Sequence, residues 1–211
     1  MPLEIILNGK KTFKVDVFSL GCLFYYAHTK GKHPFGEANE RLSNILKTKT
    51  PALDNIKGEL LKDLINSMLL HSTQARIEMK QVVSHPFFYT PKQRLDFIHS
   101  ISNFVIEKKT DRKNFNFHFK NFKFVWGSFV DTRVWKYVTE KSNYNSESLF
   151  DFLRFLRNID EHWNSFKEQP FCSQLFRDDK AVFWSYFESL FPNLLWEVYN
   201  FAKIYNLLNT N

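Results

Sequence analysis

Aromatic residues are concentrated in the second part of this 211-residue chain. Residues 91–211 hold all five tryptophans, 18 of the 24 phenylalanines and 28 aromatic residues in total, whereas residues 1–90 hold five of the six glycines. A shift of this kind indicates two different packing environments, and therefore a domain boundary. We expect two domains, over residues 1–90 and 91–211.

The overall composition favours packed domains. Hydrophobic residues make up 44% of the chain and charged residues 24%, which is enough apolar material for a core. No run of 18 apolar residues is present, so no membrane span is expected. Two cysteines, Cys22 and Cys172, are too few for a disulfide scaffold or a zinc site, and neither a metal nor a cofactor is expected. The net charge of +7 permits a polyanion such as nucleic acid as partner, although it also fits a plain basic surface.

Helical periodicity runs through most of the chain and predicts an all-α fold. Turn-forming residues at 33–36, 143–145 and 169–170 separate the periodic segments. The predicted helices cover residues 15–27, 60–70, 77–83, 94–107, 132–139, 146–163, 180–190 and 193–208. The segment 115–124 largely alternates apolar and polar residues, the pattern of a half-buried strand. It also fits a loop whose aromatic residues hold a helical bundle together, and the helical surroundings favour the loop.

The first domain resembles the lower half of a protein-kinase C-lobe. The segment V-D-V-F-S-L-G at 15–21 matches the kinase D-x-x-S-x-G helix, and R-I…V-V-S-H-P-F-F at 76–88 resembles the kinase C-lobe ending. Residues 2–4, Pro-Leu-Glu, resemble the A-P-E motif. The resemblance implies a buried ion pair between Glu4 and Arg76.

The sequence lacks the kinase motifs that bind ATP and magnesium. It has no Gly-rich loop, no V-A-I-K lysine, no H-R-D and no D-F-G. ATP binding and phosphoryl transfer by this chain are therefore not expected. The chain resembles a truncated or degenerate relative of a longer protein.

Further motifs narrow the resemblance. The segments F-S-L-G-C-L-F-Y-Y at 18–26 and K-G-K-H-P-F-G at 30–36 resemble kinases fused to a kinase-extension nuclease (KEN) domain. These are the unfolded-protein-response sensor kinase–endoribonucleases and the oligoadenylate-activated ribonuclease L. The segments 149–162 and 191–199 resemble the nuclease helix L-x-D-L-L-R-x-L-R-N-x-x-x-H and the closing helix of that domain. The implied fold is the lower part of a kinase C-lobe packed on a helical nuclease bundle.

The resemblance assigns four catalytic residues: Tyr144, Arg157, Asn158 and His162. RNA is cut without a metal when its 2′-hydroxyl attacks the adjacent phosphate, which needs a base, an acid and positive charge. Histidine titrates near neutral pH, and arginine carries a permanent planar charge. The resemblance makes His162 the general acid, gives Tyr144 a part in activating the 2′-hydroxyl, and places Arg157 and Asn158 on the phosphate. The product would carry a 2′,3′-cyclic phosphate.

The position of Tyr144 raises a difficulty for this assignment. It precedes His162 by 18 residues, a rise of roughly 27 Å along one helix. Either the loop at 143–145 folds back, or a second protomer helps to complete the site. The family acts as dimers, so a homodimer is expected.

Other interpretations of these residues remain open. His162 fits a solvated histidine, Arg157 and Glu161 fit a surface salt bridge, and Tyr144 fits a loop aromatic that covers the core. The chain is accordingly an RNA-cutting enzyme, a non-catalytic dimerisation or RNA-binding module, or a nuclease whose kinase half lies in a longer parent. We expect a cytoplasmic chain, or the cytosolic portion of a longer membrane-anchored protein.

Overall fold

The chain divides into two compact units, Met1–Tyr89 and Thr90–Asn211. The computed structural model describes residues 1–107, 109–119 and 124–209, and the regular elements within these ranges are all helical. The prediction of an all-α fold is confirmed for this part of the chain. No helix within the same ranges has the length and apolar character needed to cross a bilayer.

The first unit consists of four short helices and one longer helix, Lys14–His28. In chain order the helices are α1 (Leu3–Ile6), α2 (Lys14–His28), α3 (Arg41–Leu46), α4 (Glu59–Met68) and α5 (Met79–Val83), followed by a 3₁₀ turn at Pro86–Phe88.

Helices α2 and α4 form the centre of the first unit. Phe18 and Tyr25 of α2 share a buried cluster with Ile65 of α4. The helices approach closely at Gly21, where a Cβ atom would lie 2.9 Å from the Cβ of Met68. Helix α2 is apolar nearly all round, but only the side with Val17, Phe18, Gly21 and Tyr25 is buried, and Leu23 and Tyr26 are 59% and 55% exposed.

A buried ion pair joins the start of the first unit to the segment before α5. Arg76 is fully buried and its Nη1 and Nη2 atoms lie 2.6 and 3.1 Å from the carboxylate oxygens of Glu4. The guanidinium also donates to the carbonyls of Leu70 and Lys14. Burial raises the pKa of Glu4, but the hydrogen bonds and charge of Arg76 outweigh it and hold that pKa below its ordinary value.

The second unit is a bundle of helices, the last of which is followed by a short 3₁₀ turn. Its helices are α6 (Pro91–Glu107), α7 (Lys109–His118), α8 (Thr132–Lys141), α9 (Leu149–Glu161), α10 (Trp163–Lys167), α11 (Pro170–Phe176), α12 (Lys180–Leu190) and α13 (Leu194–Ile204), with a 3₁₀ turn at Leu207–Asn209.

Helix α9 lies at the centre of this bundle. Its apolar face is buried over three turns, from Leu149 to Ile159, and contacts α6 and α7. Trp126 is also fully buried and stacks on Phe155 of α9 with ring centroids 5.2 Å apart. The concentration of aromatic residues in this part of the sequence is therefore largely explained by the core of the bundle.

The segment 115–124 was the least accurate prediction. The structure places residues 115–118 at the end of α7, so both the strand and the favoured loop are wrong there. Phe115 and Phe119, one helical turn apart, are buried and pack together at 4.6 Å, whereas Phe117 is 65% exposed. The phenylalanine at every second position, 115, 117 and 119, imitates the period of a strand and hides the spacing of Phe115 and Phe119 on a helix. Residues 120–123 lie outside the described ranges.

Candidate active site

The loop 142–148 is held against the first turn of α9. Ser148 begins the helix, and its Oγ accepts a hydrogen bond from the backbone N–H of Asp151. The Oδ2 atom of Asp151 in turn accepts the backbone N–H of Asn145 at 2.8 Å. A helix-starting serine and an acidic residue in the first turn are favourable at this end of a helix. The same groups therefore start the helix and fix the loop.

Trp126 also holds the loop 142–148 in place, through two hydrogen bonds. Its indole Nε1–H donates to the carbonyl of Asn145 at 3.1 Å, and its backbone N–H donates to the carbonyl of Ser146 at 2.9 Å. The next residue, Gly127, approaches Ser146 so closely that an added Cβ would lie 2.7 Å from the serine Cβ. The absence of a side chain at Gly127 permits this contact.

The loop brings Tyr144 back onto the side of α9. Asn158 Nδ2 donates to the Oη of Tyr144 at 2.9 Å, and the tyrosine ring lies edge-on to Phe155. Arg154 covers the other face of the ring, with its Cζ 4.6 Å from the ring centroid, and donates to the carbonyl of Asn143. Of the two solutions to the position of Tyr144, the structure shows the folded-back loop, within one chain.

The guanidinium of Arg157 contacts three side chains. Its Nη1 donates to Asn158 Oδ1 at 3.3 Å, and its Nη2 lies 2.8 Å from Glu161 Oε1. Its Nε donates to the side chain of Asn103 on α6. Tyr144, Asn158 and Arg157 therefore form one hydrogen-bonded chain. Asn103 was missed in the sequence, because its only signal is a polar position beside the apolar face of α6.

His162 lies just beyond the end of α9, which corrects the predicted helix over residues 146–163. The helix ends at Glu161, and His162 has left helical geometry at φ −107° and ψ 27°. Its carbonyl accepts the backbone N–H groups of Ser165 and Phe166, which begins α10. The side chain of His162 is exposed.

A second polar cluster lies between α6, α9 and α12. The Nδ1 atom of His99 lies 3.5 Å from Asp160 Oδ2, and Lys180 contacts the same carboxylate. Burial lowers the pKa of His99, and the charge of Lys180 lowers it further against the opposing effect of Asp160. His99 therefore favours its neutral form more than an exposed histidine does.

Neither a metal site nor a reactive thiol is found near these residues. Within the described ranges, no group of three or more His, Cys, Asp or Glu side chains is placed to hold a metal ion. Cys172 is buried, donates to the carbonyl of Phe166, and has its pKa raised by burial to about 12. A thiol with so high a pKa is protonated at neutral pH and is a poor nucleophile.

These observations define a class of protein in which a fragment of a kinase C-lobe precedes a helical ribonuclease-type domain. The chain belongs to the family described as Ribonuclease 2-5A, whose sequence model matches residues 94–210. The model of the protein kinase domain matches residues 1–88. The resemblance inferred from the motifs is confirmed by these two matches.

Long kinase–nuclease proteins are similar to the chain over most of its length. The serine/threonine-protein kinase/endoribonuclease IRE1 of Oryza sativa subsp. japonica is 33% identical over 202 residues, which covers 93% of this chain and 22% of that protein. The corresponding protein ire-1 of Caenorhabditis elegans is 32% identical over 204 residues, covering 93% and 21%. IRE2 of Homo sapiens is 29% identical over 203 residues, covering 92% and 22%. The chain thus spans about a fifth of the length of these curated relatives.

Proposed function

We propose that this chain is an endoribonuclease and that residues 91–211 form its nuclease domain. Family membership and relatives named as kinase/endoribonucleases support the proposal. The observation that carries it is the 2.9 Å hydrogen bond between Asn158 and Tyr144. This bond gathers a phenol, an amide and the Arg157 guanidinium, three residue types suited to RNA cleavage, on one side of α9.

In the proposed reaction, the RNA supplies its own nucleophile. The 2′-hydroxyl oxygen attacks the adjacent phosphorus, the bond to the 5′-oxygen breaks, and a 2′,3′-cyclic phosphate remains. The Oη atom of Tyr144 accepts one hydrogen bond from Asn158 and retains a lone pair that accepts a hydrogen bond from the 2′-hydroxyl, which orients the attacking oxygen while its proton passes to water. Arg157 and Asn158 stabilise the negative charge on the phosphate oxygens. His162 donates a proton to the departing 5′-oxygen. No step requires a metal ion or a cofactor.

The partners of the chain follow from the same proposal. RNA is the proposed substrate, and a second copy of the chain is the proposed protein partner, because the family resemblance implies a dimer. Nucleotide binding by the first unit is not part of the proposed activity, since the sequence lacks the motifs that would hold ATP. The location that we propose is the cytoplasm, as a separate chain or as the cytosolic portion of a longer membrane-anchored protein.

A non-catalytic RNA-binding or dimerisation module is the second candidate. The ion pair between Arg157 and Glu161 favours it, because this contact gives Arg157 a partner without any substrate. The two candidates differ in one measurable respect: only the enzyme cuts RNA.

Substitution of His162 tests the enzyme against the module. We expect His162→Ala to slow RNA cleavage by about 10² to 10⁴, the usual effect of removing a general acid. The exposed side chain makes little contribution to packing, so the folded structure should be unchanged in circular dichroism. Cleavage by the wild type should persist in EDTA and leave a 2′,3′-cyclic phosphate, identified by mass spectrometry.

His28→Ala is the matched control, because His28 is also exposed and closes helix α2 of the first unit. It should cleave RNA at the wild-type rate. Activity that disappears in EDTA, or that is equal in both variants, would reject the mechanism. A wild type that binds RNA and never cuts it would support the module.

A further inference from the structure

The side chain of Arg157 is held in one orientation by residues from two helices. Asn103 of α6 accepts its Nε–H, and Asn158 accepts from Nη1 at 3.3 Å. A phosphate can be gripped by two parallel N–H groups, either across Nε and one Nη or across the two Nη atoms. Since Asn103 occupies the Nε edge, the Nη edge is the one left for a substrate phosphate.

Glu161 occupies part of this remaining edge. Its Oε1 atom lies 2.8 Å from Nη2 of Arg157, at the distance of a charge-assisted hydrogen bond. A carboxylate and a phosphodiester present the same chemistry to a guanidinium, because both offer negatively charged oxygen acceptors. The side chain of Glu161 is 42% exposed and that of Arg157 28% exposed, so the pair faces solvent and RNA can reach it.

Helix stability does not explain Glu161. It is the last residue of α9, where a negative charge opposes the helix dipole. The order of the pair, with the basic residue four positions before the acidic one, is also the less favourable orientation on a helix. The main consequence of the contact is therefore for Arg157, whose Nη2 atom it pairs with a carboxylate.

We propose that Glu161 is an internal competitor of the RNA phosphate for Arg157 and sets how tightly the site binds RNA. The free chain keeps the arginine paired with Glu161, and a substrate phosphate binds by displacing that carboxylate. The inference rests on the proposed function only for the identity of the ligand, a phosphodiester of RNA.

The test compares two charge-neutralising variants. The probe for binding is a fluorescently labelled 2′-fluoro RNA oligonucleotide of mixed sequence, which lacks the nucleophile and cannot be cut. Glu161→Gln should lower its Kd, measured by anisotropy, by about two- to fivefold, the range of an exposed ion pair. With RNA of the same sequence that carries its 2′-hydroxyl groups, the KM for cleavage should fall by a similar factor. The kcat should change little, because Glu161 competes with the substrate only for binding.

Glu140→Gln is the matched control. Glu140 is exposed, pairs with Lys136 at the same (i, i+4) spacing on α8, and gives the same change in net charge. Its Kd should stay at the wild-type value. The effect of Glu161→Gln should also vanish in an Arg157→Met background, where nothing remains to be competed for.

Each outcome decides the question. Equal Kd values for Glu161→Gln and Glu140→Gln would overturn the proposed competition. The same decrease in Kd in the Arg157→Met background would overturn it as well. Tighter binding by Glu161→Gln in a chain that cuts no RNA would support the competition and reject the nuclease activity. No measurable binding in any variant would overturn both.

Discussion

At the scale of single residues, Arg76 shows how a buried charge is accommodated. The guanidinium is shielded from solvent, yet its donors meet the Glu4 carboxylate and three backbone carbonyls, those of Lys14, Leu70 and His71. Such pairs contribute modestly when complete, but removal of one partner leaves a buried charge without compensation. Glu4 therefore supports the first unit chiefly by preventing that loss.

We expect Glu4→Gln to lower the free energy of unfolding by about 3 kcal/mol at pH 7. Arg76 holds the pKa of Glu4 below its ordinary value. The ionised carboxylate therefore stabilises the fold fully at any pH above the ordinary pKa of a glutamate. This stability is lost as the pH falls through the lowered pKa. The difference between variant and wild type should therefore shrink below about pH 4. Urea denaturation followed by circular dichroism at several pH values measures it.

Glu59→Gln is the comparison for this prediction. Glu59 pairs with Lys62 at 2.9 Å on an exposed face of α4, and the loss of such a pair costs at most about 0.5 kcal/mol. Equal losses in both variants, or a Glu4→Gln effect that grows in acid, would contradict the assigned role.

At the residue level, only family motifs point to particular pairs of residues in this sequence. The resemblance pointed to Glu4 with Arg76, and the structure shows that pair with two direct hydrogen bonds. Asn103 carried no comparable signal. It contacts Arg157 across 54 positions of sequence, and no local period or motif encodes a contact between two separate helices.

At the scale of elements, the first turn of α9 is also the anchor of the loop 142–148. Asp151 accepts from the backbone of Asn145 at 2.8 Å and contacts Arg154, which lies over the ring of Tyr144. Helix and loop are therefore coupled through one carboxylate. A substitution at Asp151 should therefore alter the position of Tyr144 indirectly, through Asn145 and Arg154.

We expect Asp151→Ala to lower kcat for RNA cleavage about tenfold, because the loss of a charged hydrogen bond costs the ordered loop roughly 1.5 kcal/mol. KM should change little, since Arg157 is not in the altered turn. Asp179→Ala is the control: Asp179 caps α12 by accepting the N–H of Ala181 and is separated from the loop in sequence by α9, α10 and α11. Single-turnover kinetics of both variants measure the difference. If the two lose activity equally, the coupling is absent.

Element prediction was less accurate for short segments, although the short helix predicted over 77–83 is present at Met79–Val83. The helix over 180–190 was predicted with the bounds that the structure shows. Short helices such as Trp163–Lys167 and Pro170–Phe176 were not predicted, because five to seven residues hold too few periods of the helical pattern. The end of α9 at Glu161 was missed as well, since no glycine or proline marks it.

At the scale of the whole molecule, the proposed homodimer is the main question. One sequence argument for it, the distance of Tyr144 from the helix motif, is removed by the folded-back loop. The family resemblance and the tendency of single chains to form symmetric pairs remain. The proposed dimer therefore does not need a tyrosine from the second copy to complete the Tyr144–Asn158 pair.

We expect weak dimers whose population rises with protein concentration, and a specific activity that rises with it. Sedimentation velocity over a range of concentrations, run beside cleavage assays at the same concentrations, measures both quantities. The reason is that the resemblance to the kinase–nuclease family implies activity as a dimer. A strictly monomeric chain with full activity at every concentration would refute the prediction.

The hydrogen bond between Tyr144 and Asn158 also has a consequence for inheritance. Both residues come from one chain, so every copy either possesses the pair or lacks it. An allele damaged at Tyr144 and another damaged at Asn158 cannot restore each other, because neither product can lend its missing member. One undamaged allele, in contrast, supplies complete pairs, so damage at either position should be recessive unless mixed assemblies silence the intact copy.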